Sequence, residues 1–298
     1  MVQKWDDDMY IIVTPAKNEE EHLPKVAEAV ITQNVPPILW VIVDDGSTDR
    51  TPDIIRTLED QYIWIKSIQL PPHPRDITFH YSYVCKSGFD YAIQLCKTNA
   101  IQYNFIGLLD ADTVLEAAYF EKLSMEFHRN SQLGIASGHI TDMSHKEVRW
   151  ADIKNDEPDR PLPRGSGRFW AKKCFFETGG YPIEPSPDSI SNVKANLRRW
   201  EIRQFGHIRA IQLRGTSGAQ GLWNGYRVNG SMAHYLNKHP LLVLVGSFFY
   251  STQKPYYIGL AYLYGYLLEW LKRSPKINDP EIRDYYWNKR LKEYIKLS

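Results

Sequence analysis

Residues 105–113 read Phe-Ile-Gly-Leu-Leu-Asp-Ala-Asp-Thr, an uncharged apolar run that ends in two carboxylates. Such a run is typical of a buried parallel strand whose carboxyl end reaches the edge of a sheet. If the extended conformation persists to Asp112, the two-residue period of a strand directs Asp110 and Asp112 to the same side. Paired carboxylates suit Mg²⁺ or Mn²⁺, which prefer hard oxygen ligands and complete their shells with water and phosphate. The alternative is that Asp110 ends a strand and Asp112 caps a helix starting near Thr113.

The charge of the chain is unevenly distributed. Its 298 residues allow one large α/β domain with an appendage, or two smaller domains, and its 43% hydrophobic and 24% charged residues are ordinary for a globular protein. Residues 196–298 contain 16 Lys and Arg against 6 Asp and Glu, whereas residues 1–195 contain 20 against 29. An acidic first part suits a metal site, and a basic, aromatic-rich last part suits an anionic surface such as phosphate or lipid headgroups.

The cysteines and the N-terminal residues both indicate the cellular compartment of the protein. Cys85, Cys96 and Cys174 are odd in number and include no Cys-x-x-Cys pair, which argues against a disulfide framework or a structural zinc site. Residues 1–8 are acidic and lack an apolar core, so we predict no signal peptide. We therefore expect a protein of the reducing cytoplasm.

A strand followed by a helix recurs along the first hundred residues. The apolar runs predict strands at 9–13, 38–43 and 63–69, and a Pro-rich loop follows the third strand. The helical patterns end near Thr32, run from a Thr51-Pro52 start to about Asp60, and cover about 87–97. With the strand at 105–110, four strands alternate with helices, which predicts a parallel sheet with helices on both faces.

The expected sheet has polar residues, and no phosphate loop, at its strand ends. There is no Gly-x-Gly-x-x-Gly after the first strand and no Gly-x-x-x-x-Gly-Lys-Ser/Thr, which disfavours dehydrogenase and P-loop enzymes. An Asp accepts hydrogen bonds from a uracil N3–H or from ribose hydroxyls, whereas phosphates need a metal in between. For residues 44–47 alone, a tight turn with a local side-chain hydrogen bond is equally compatible. The polar pairs are Asn18 and Glu19, Asp44 and Asp45, and Asp110 and Asp112.

In their order and spacing, these segments resemble the inverting glycosyltransferases of family 2, which have the GT-A fold, a Rossmann-like and mostly parallel sheet. Residues 14–20 (TPAKNEE) resemble the opening nucleotide-binding segment, residues 43–49 (VDDGSTD) the second, and residues 110–112 the metal-binding Asp-x-Asp. More loosely, residues 179–181 (Gly-Gly-Tyr) and 187–189 (Pro-Asp-Ser) resemble the acceptor-side motif and the acidic pair that supplies the catalytic base. Here a proline stands in place of the first acid. The resemblance covers about residues 8–215.

The resemblance implies an enzyme of the hexosyltransferase type. The donor would be a nucleotide diphosphate sugar, the cofactor Mg²⁺ or Mn²⁺, and the acceptor a hydroxyl of a glycan or lipid-linked molecule, as in polysaccharide biosynthesis. Asp188 would be the base, with helix capping as its alternative role. The implied nucleotide-sugar-binding residues are Thr14, Pro15, Ala16, Asn18, Glu19, Asp44, Asp45, Lys86, Asp110 and Ala111.

The sequence leaves the third protein ligand of the metal open between two residues. Asp110 and Asp112 would bind the metal, and relatives add a His followed two residues later by Arg. His207 has the residue type, whereas Gln212 fits the local pattern better, so both stay open.

Residues 165–168 (Gly-Ser-Gly-Arg) predict a flexible basic loop that could close over the diphosphate, or simply a turn, before a strand-like run at 169–176.

We predict a catalytic domain over residues 1–220 and a helical, aromatic and basic region over residues 221–298. The apolar stretches 241–249 and 256–270 are each shorter than the ~20 residues needed to span a bilayer. Their tyrosines and flanking lysines suit the headgroup boundary, so we expect peripheral attachment to the inner face of the cytoplasmic membrane. The alternative is a hairpin packed on the sheet or in a dimer interface.

Two other functions are compatible with the same residues. A catalytically silent sugar-nucleotide-binding or membrane scaffold would explain the missing first acid of the base pair. A nucleotidyltransferase also combines acidic strand ends with a metal. No nucleic acid partner is expected, and the sequence leaves the sugar, the base of the nucleotide and the oligomeric state open.

Overall fold

The computed structural model describes residues 8–72, 79–143, 150, 153, 157–214 and 221–297. They belong to two compact units, of which the first ends at Arg214 and the second comprises the rest of the chain. The first unit thus ends a few residues before the domain boundary predicted at residue 220.

One eight-stranded sheet forms the first unit. Its strand order is β3-β2-β1-β4-β7-β6-β8-β5. Strands β1 to β4 are mutually parallel, β7 runs antiparallel to both of its neighbours, β8 is parallel to β6, and β5 is antiparallel to β8. The strands are β1 (Tyr10–Ala16), β2 (Leu39–Asp44), β3 (Ile65–Gln69), β4 (Phe105–Leu108), β5 (Thr113–Leu115), β6 (Leu133–Asp142), β7 (Arg168–Ala171) and β8 (Glu201–Gln212).

Helices cover both faces of this sheet. Alternate side chains of a strand point to opposite faces, so the largely apolar strands β1 and β2 contribute side chains to two cores. Ile12 and Ile42 pack with α1 and α4 in one core, whereas Val13 and Val43 pack with Phe89 of α3 in the other. The predicted α/β fold, with a mostly parallel sheet between helices, is confirmed. The helices are α1 (Leu23–Ile31), α2 (Thr51–Gln61), α3 (Phe79–Thr98), α4 (Tyr119–Arg129), α5 (Lys172–Glu177) and α6 (Pro187–Leu197).

The structure corrects the prediction for the end of β4. This strand stops at Leu108, a turn contains Ala111 and Asp112, and Thr113 begins strand β5. Neither the extended conformation to Asp112 nor a helix at Thr113 is therefore present. The reason is non-local, because Thr113–Leu115 pairs antiparallel with residues 210–212 of β8.

The predicted basic loop at residues 165–168 is also corrected. Ser166, Gly167 and Arg168 are buried, and Arg168 begins strand β7, which inserts between β4 and β6. The strand-like run at 169–176 is only partly a strand, since helix α5 takes over at Lys172. Residues 165–167 form the bend and turn that precede β7, which is the alternative interpretation of this segment.

The second unit is helical, as predicted. Gly230 of α7 and Gly265 of α9 allow close packing of these helices, since an added Cβ would lie 1.9 Å from a backbone oxygen of the other helix in each case. Among the described helices, none is both long and apolar enough to cross a bilayer. The elements are α7 (Leu222–Tyr235), α8 (Pro240–Ser251), α9 (Ile258–Leu271), α10 (Pro280–Asp284), a π-helical turn (Tyr285–Lys289) and α11 (Arg290–Leu297).

The contact between α3 and the sheet generates a prediction at Gly88. A Cβ at this position would lie 2.4 Å from Val13 Cγ1 and 2.6 Å from Val43 Cγ2. Overpacking a core typically costs about 1–3 kcal/mol, and the higher helix propensity of alanine returns up to about 1 kcal/mol. We expect Gly88→Ala to lower the free energy of unfolding by a net amount of about 1 kcal/mol in urea denaturation. Ser87→Ala is the control, and an increase in stability for Gly88→Ala would contradict the packing argument.

Candidate active site

The ends of β1 and β2 are joined by hydrogen bonds between the loops that follow them. The side-chain oxygen of Asn18 accepts from the Thr48 N–H at 2.8 Å, and the Asn18 N–H donates to Ser47 Oγ at 3.0 Å. Asn18 adopts φ 54°, a left-handed conformation that asparagine tolerates. The first two segments predicted to bind the nucleotide therefore form one edge of the sheet.

Asp44 serves the turn rather than an open pocket. Its Oδ1 accepts from the Ser47 N–H at 3.0 Å, and its Oδ2 accepts from Gln69 Nε2 at 2.9 Å. The turn needs a glycine at position 46, where φ is +62° and a Cβ would lie 2.5 Å from the Pro72 Cα. The local side-chain hydrogen bond of the alternative interpretation is thus present.

The side chain of Asp45 contacts a histidine and a lysine, which could also contact a bound ligand. Its Oδ1 lies 2.6 Å from His80 Nε2, and its Oδ2 accepts from Lys17 Nζ at 3.2 Å. Its backbone N–H donates to the Ala16 carbonyl at 2.8 Å, so the end of β1 holds it in place. Asp45 thus has two cationic or polar neighbours at the sheet edge.

The side chains of Thr14 and Lys86 have other partners. Thr14 is fully buried, and its hydroxyl accepts from Trp40 Nε1 at 2.9 Å. The Lys86 ammonium pairs with Asp90, one turn further along α3, at 2.5 Å. Of the predicted nucleotide-binding residues, these two have side chains that stabilise the fold locally.

Asp110 is half-buried, and both its side chain and its backbone N–H are hydrogen-bonded. Tyr81 Oη donates to its Oδ1 at 2.8 Å, and its own N–H donates to Ser166 Oγ at 2.9 Å. Ser166 Oγ in turn donates to Thr113 Oγ1 at 2.9 Å. Burial, with the nearby carboxylate of Asp112, raises the pKa of Asp110 to about 7. Protons or cations are therefore attracted to this side chain.

Arg214 is the cation that the structure places among the other acids. It pairs with Glu19 through Nη2, and its Nε lies 3.8 Å from Asp112 Oδ2. Burial raises the pKa of both carboxyl groups, and the charge of Arg214 partly opposes that shift. The sequence contained this signal, because Arg214 is the arginine two residues after Gln212.

The structure brings Gln212, and not His207, next to the acidic pair. Gln212 is the cross-strand partner of Thr113, and the next N–H, of Leu213, donates to the Asp112 carbonyl at 2.9 Å. His207 lies five residues earlier on β8, where Nε2 is 3.8 Å from Glu126 Oε1. The nearby donor set thus consists of two carboxylates and one amide.

These donors fit a hard divalent cation. Mg²⁺ and Mn²⁺ favour carboxylate and carbonyl oxygens, and they commonly take the remaining ligands from water and substrate phosphates. Within the described ranges, no group of three or more His, Cys, Asp or Glu residues is arranged to hold a metal. A metal at Asp110 and Asp112 would therefore depend on oxygens of the ligand, and its charge would favour the ionised forms of both carboxyl groups, whose pKa values burial raises.

Asp188 lies in the first turn of α6, supported from behind by an arginine. Arg168 is fully buried, its Nη1 lies 3.9 Å from Asp188 Oδ1, and its Nη2 donates to the Asp188 carbonyl at 3.4 Å and to Asn192. Asp188 Oδ1 accepts no hydrogen bond from any described residue. The N-cap position belongs to Ser186, so Asp188 is not the helix cap of the alternative interpretation.

A short segment connects Asp188 with Asp110. A Cβ at Gly165 would lie 2.5 Å from Asp188 Oδ2, and the next residue is Ser166, which contacts Asp110. The charge of Asp188 also contributes to the raised pKa of Asp110, after burial and Asp112. Two carboxylates that are far apart in the sequence therefore share one site.

Aromatic side chains line the floor of this site. Tyr181 follows two glycines with φ 90° and 76° and is buried. Burial raises its pKa, with added contributions from Cys85 and from the carboxylates of Asp188 and Asp110. Tyr81 and Cys85 lie one turn apart on α3, so that helix and the Gly-Gly-Tyr motif enclose the acids together. Sequence analysis did not identify Tyr81 or Arg168 as site residues, since neither belongs to a recognised motif.

Sequence comparison identifies a family and one curated relative. The family model described as Glycosyl transferase family 2 matches residues 11–183. Beta-monoglucosyldiacylglycerol synthase of Nostoc sp. is 24% identical over 253 residues, which cover 78% of this chain and 51% of that protein. The chain therefore spans about half the length of the curated relative it matches.

Two solved structures share the fold. Staphylococcus aureus TarS in complex with UDP-GlcNAc has 15% sequence identity and a TM-score of 0.53, over 76% of this chain and 65% of that chain. Mannosyltransferase PcManGT from Pyrobaculum calidifontis, in complex with GDP-Man and Mn²⁺, has 13% identity and a TM-score of 0.52, over 97% of this chain and 79% of that chain. At these identities the likeness bears on the fold, and it supports the expected GT-A architecture.

The pKa of Asp110 generates a prediction about stability. Its ordinary value is 3.8 and its folded value about 7, so between these the unfolded state has already released the proton that the folded state retains. Stability of the metal-free protein therefore falls as pH rises through this interval, by up to about 1.4 kcal/mol per pH unit from this group. Asp110→Asn removes the titrating group, so we expect the variant to be more stable than the wild type at neutral pH.

Urea unfolding in the presence of EDTA, at about pH 5 and about pH 8, measures this effect. The stability difference between Asp110→Asn and the wild type should grow towards the higher pH. Asp60→Asn, at an exposed position of α2, should follow the wild type. Equal pH dependence in the wild type and Asp110→Asn would show that Asp110 titrates normally.

Proposed function

Because the chain belongs to glycosyl transferase family 2, we propose that it transfers a sugar, with inversion, from a nucleotide diphosphate sugar to a hydroxyl of an acceptor. The observation that carries this proposal is the pairing of Asp188 with Asp110 across Gly165. Asp188, which is suited to accept a proton, lies near Asp110, which is suited to bind the donor. UDP-GlcNAc and GDP-Man in the two structures that share the fold support a donor of this class.

Each residue of the site has a role in one displacement. The acceptor oxygen attacks the anomeric carbon while the bond from that carbon to the diphosphate oxygen breaks, and the bonding electrons leave with the diphosphate. Asp188 accepts the hydroxyl proton as the new bond forms. Its side chain is suited to this because it is 40% exposed, so that an acceptor hydroxyl can reach it. Attack from the face opposite the leaving group inverts the configuration.

The donor would be held at the other side of the site. Asp45 and the loop around Asn18 would bind the nucleoside, and Arg214 would face the diphosphate. Asp110 and Asp112, with Gln212 nearby, would hold Mg²⁺ or Mn²⁺. When bound, the metal would neutralise charge on the diphosphate, so that no separate acid is needed. When Mn²⁺ replaces EDTA in the unfolding experiment above, it should stabilise the wild type more than Asp110→Asn.

Asp188→Asn provides the test of the chemical step. We expect turnover to fall by at least about 10²-fold, the usual scale for loss of a general base, because the amide cannot accept the proton. Binding of UDP or GDP, measured by the shift in melting temperature, should be retained since Asp188 does not hold the nucleotide. Ser189→Ala, at the neighbouring position, is the control.

The product released from a panel of nucleotide sugars separates the candidate functions. A nucleoside diphosphate indicates glycosyl transfer, pyrophosphate indicates nucleotidyl transfer, and binding without release of either indicates a silent binder. Normal turnover in Asp188→Asn would remove this residue from the mechanism.

For the second unit we propose peripheral attachment to a membrane. Helices α8 and α9 each present one apolar face to solvent, opposite the faces that pack in their own core. The exposed residues recur at helical spacing: Leu241, Leu244, Val245, Phe248 and Phe249 on α8, and Leu260, Tyr264, Leu267 and Leu271 on α9, with Tyr257 at its N-cap. A surface of this size on a helical hairpin is typical of an interaction site.

The residues around this surface favour a lipid headgroup region. Lys254 lies between the two helices and Lys272 and Arg273 follow the second, all of them exposed, so that positive charge flanks the apolar face at both ends. Tyrosine and tryptophan side chains suit the boundary between lipid and water. The name of the curated relative, a beta-monoglucosyldiacylglycerol synthase, denotes a lipid product and supports an acceptor at a membrane.

Flotation with anionic vesicles tests this attachment. Phe248 is 75% exposed and Leu271 71%, so a charge at either position should leave the fold intact. Burial of one such side chain in lipid contributes about 1.5–3 kcal/mol, so we expect Phe248→Glu and Leu271→Glu each to reduce the bound fraction about tenfold or more at low salt. Asn278→Glu, an exposed position outside the hairpin, should float like the wild type. If all three variants and the wild type remain in the soluble fraction, the membrane proposal is wrong.

A further inference from the structure

Three basic residues lie near the segment that leads into the acidic site: Arg160, Arg164 and His139. Within the part of the chain that the structure describes, neither guanidinium makes an ion pair or a side-chain hydrogen bond. The buried His139 Nδ1 also has no hydrogen-bond partner there. Asp159, the acid next to Arg160, is already paired with Arg203 at 3.9 Å.

Backbone hydrogen bonds fix where these side chains originate. The Arg164 N–H donates to Ser137 Oγ at 2.7 Å, and Arg160 exchanges backbone hydrogen bonds with Gln204 at 2.9 and 2.8 Å. Gln204 of β8 is the strand partner of Ser137 on β6, and His139 follows two residues later on β6. The three side chains therefore start from one edge of the β6–β8 pair.

The three groups also act on one another electrostatically. Burial and then the charge of Arg160 lower the pKa of Arg164. Burial lowers the pKa of His139, both arginines lower it further, and Glu157 opposes them. Among the described residues, two like charges with one opposing acid leave a local excess of positive charge, which an anion would neutralise.

The segment that carries Arg164 leads directly to the proposed base. Arg164 precedes Gly165, whose Cα faces Asp188, and Ser166 then contacts Asp110. The chain thus passes from the basic cluster, past the base, to the residue proposed to hold the donor. An acceptor with its hydroxyl at Asp188 would therefore lie next to the segment that carries Arg164.

We propose that Arg160, Arg164 and His139 bind a phosphate group of the acceptor, an inference that rests on the proposed glycosyl transfer. A guanidinium donates two parallel hydrogen bonds to phosphate oxygens, and two of them with an imidazole can surround one phosphate. The phosphate belongs either to a lipid headgroup or to a soluble phosphorylated molecule. Both present the same oxygens to the cluster.

The experiment compares the full chain with its Arg160→Gln/Arg164→Gln variant. One arm titrates sn-glycerol 3-phosphate, with glycerol as the uncharged match. The other arm measures binding to phosphatidylcholine vesicles that contain phosphatidic acid, with pure phosphatidylcholine as the match. Arg129→Gln, an exposed arginine of α4, is the control for loss of charge alone. Binding of UDP and GDP is measured on every variant.

We expect the double variant to bind the phosphate-bearing probe at least about tenfold more weakly than the wild type and Arg129→Gln, the scale of one lost charge-assisted hydrogen bond. An effect in the soluble arm identifies a free phosphorylated acceptor, and one confined to vesicles identifies a lipid phosphate. Equal binding by all three proteins, or no binding by the wild type in either arm, overturns the proposal.

Nucleotide binding separates the two proposals. If the double variant loses UDP or GDP binding and keeps the phosphate probe, the cluster serves the donor and the acceptor proposal is wrong. If the wild type binds neither nucleotide, the proposed glycosyl transfer fails, while arginine-dependent binding of the phosphate probe still supports an anion site.

Discussion

The first unit must accommodate the mutual repulsion of carboxylates that lie at the end of β1 and after β4. Glu19, Asp110 and Asp112 are withdrawn from water, and burial raises the pKa of each. Like charges in such a place need compensation from donors or cations. Tyr81 supplies a hydrogen bond and Arg214 supplies a charge. The compensation is partial, which leaves the site able to attract a cation and the phosphates that accompany it.

The antiparallel strand β7 connects this acidic edge to the rest of the site. By inserting between β4 and β6, it brings Ser166 to Asp110 and buries Arg168 behind Asp188. A fully buried guanidinium is costly unless its donors are satisfied. Asn192 and the Asp188 carbonyl accept from it, so the arginine, the base and helix α6 depend on one another. The base is thereby supported by the sheet although it lies on a helix.

Positive charge and apolar surface are grouped locally, and the overall composition does not reveal where these groups lie. The first 195 residues are acidic in sum, yet Arg160 and Arg164 form a basic cluster within that part. The last hundred residues are basic in sum, and two of their helices also present apolar side chains to solvent. Local grouping of charge therefore says more about ligands than the net charge of a segment.

The sequence by itself determined the parallel half of the sheet, the acids at its strand ends and the helical second unit. Apolar runs such as residues 38–43 predict strands because the burial pattern is a property of adjacent residues. The ion pair between Lys86 and Asp90 is likewise local, because the two residues lie one helical turn apart. Thr113 begins a strand instead of a helix because its partner, Gln212, lies about a hundred residues later. Arg168, expected in a flexible loop, is buried because β7 inserts between β4 and β6. Periodicity reports which side chains are buried, whereas only strand pairing decides which carboxylate meets which cation.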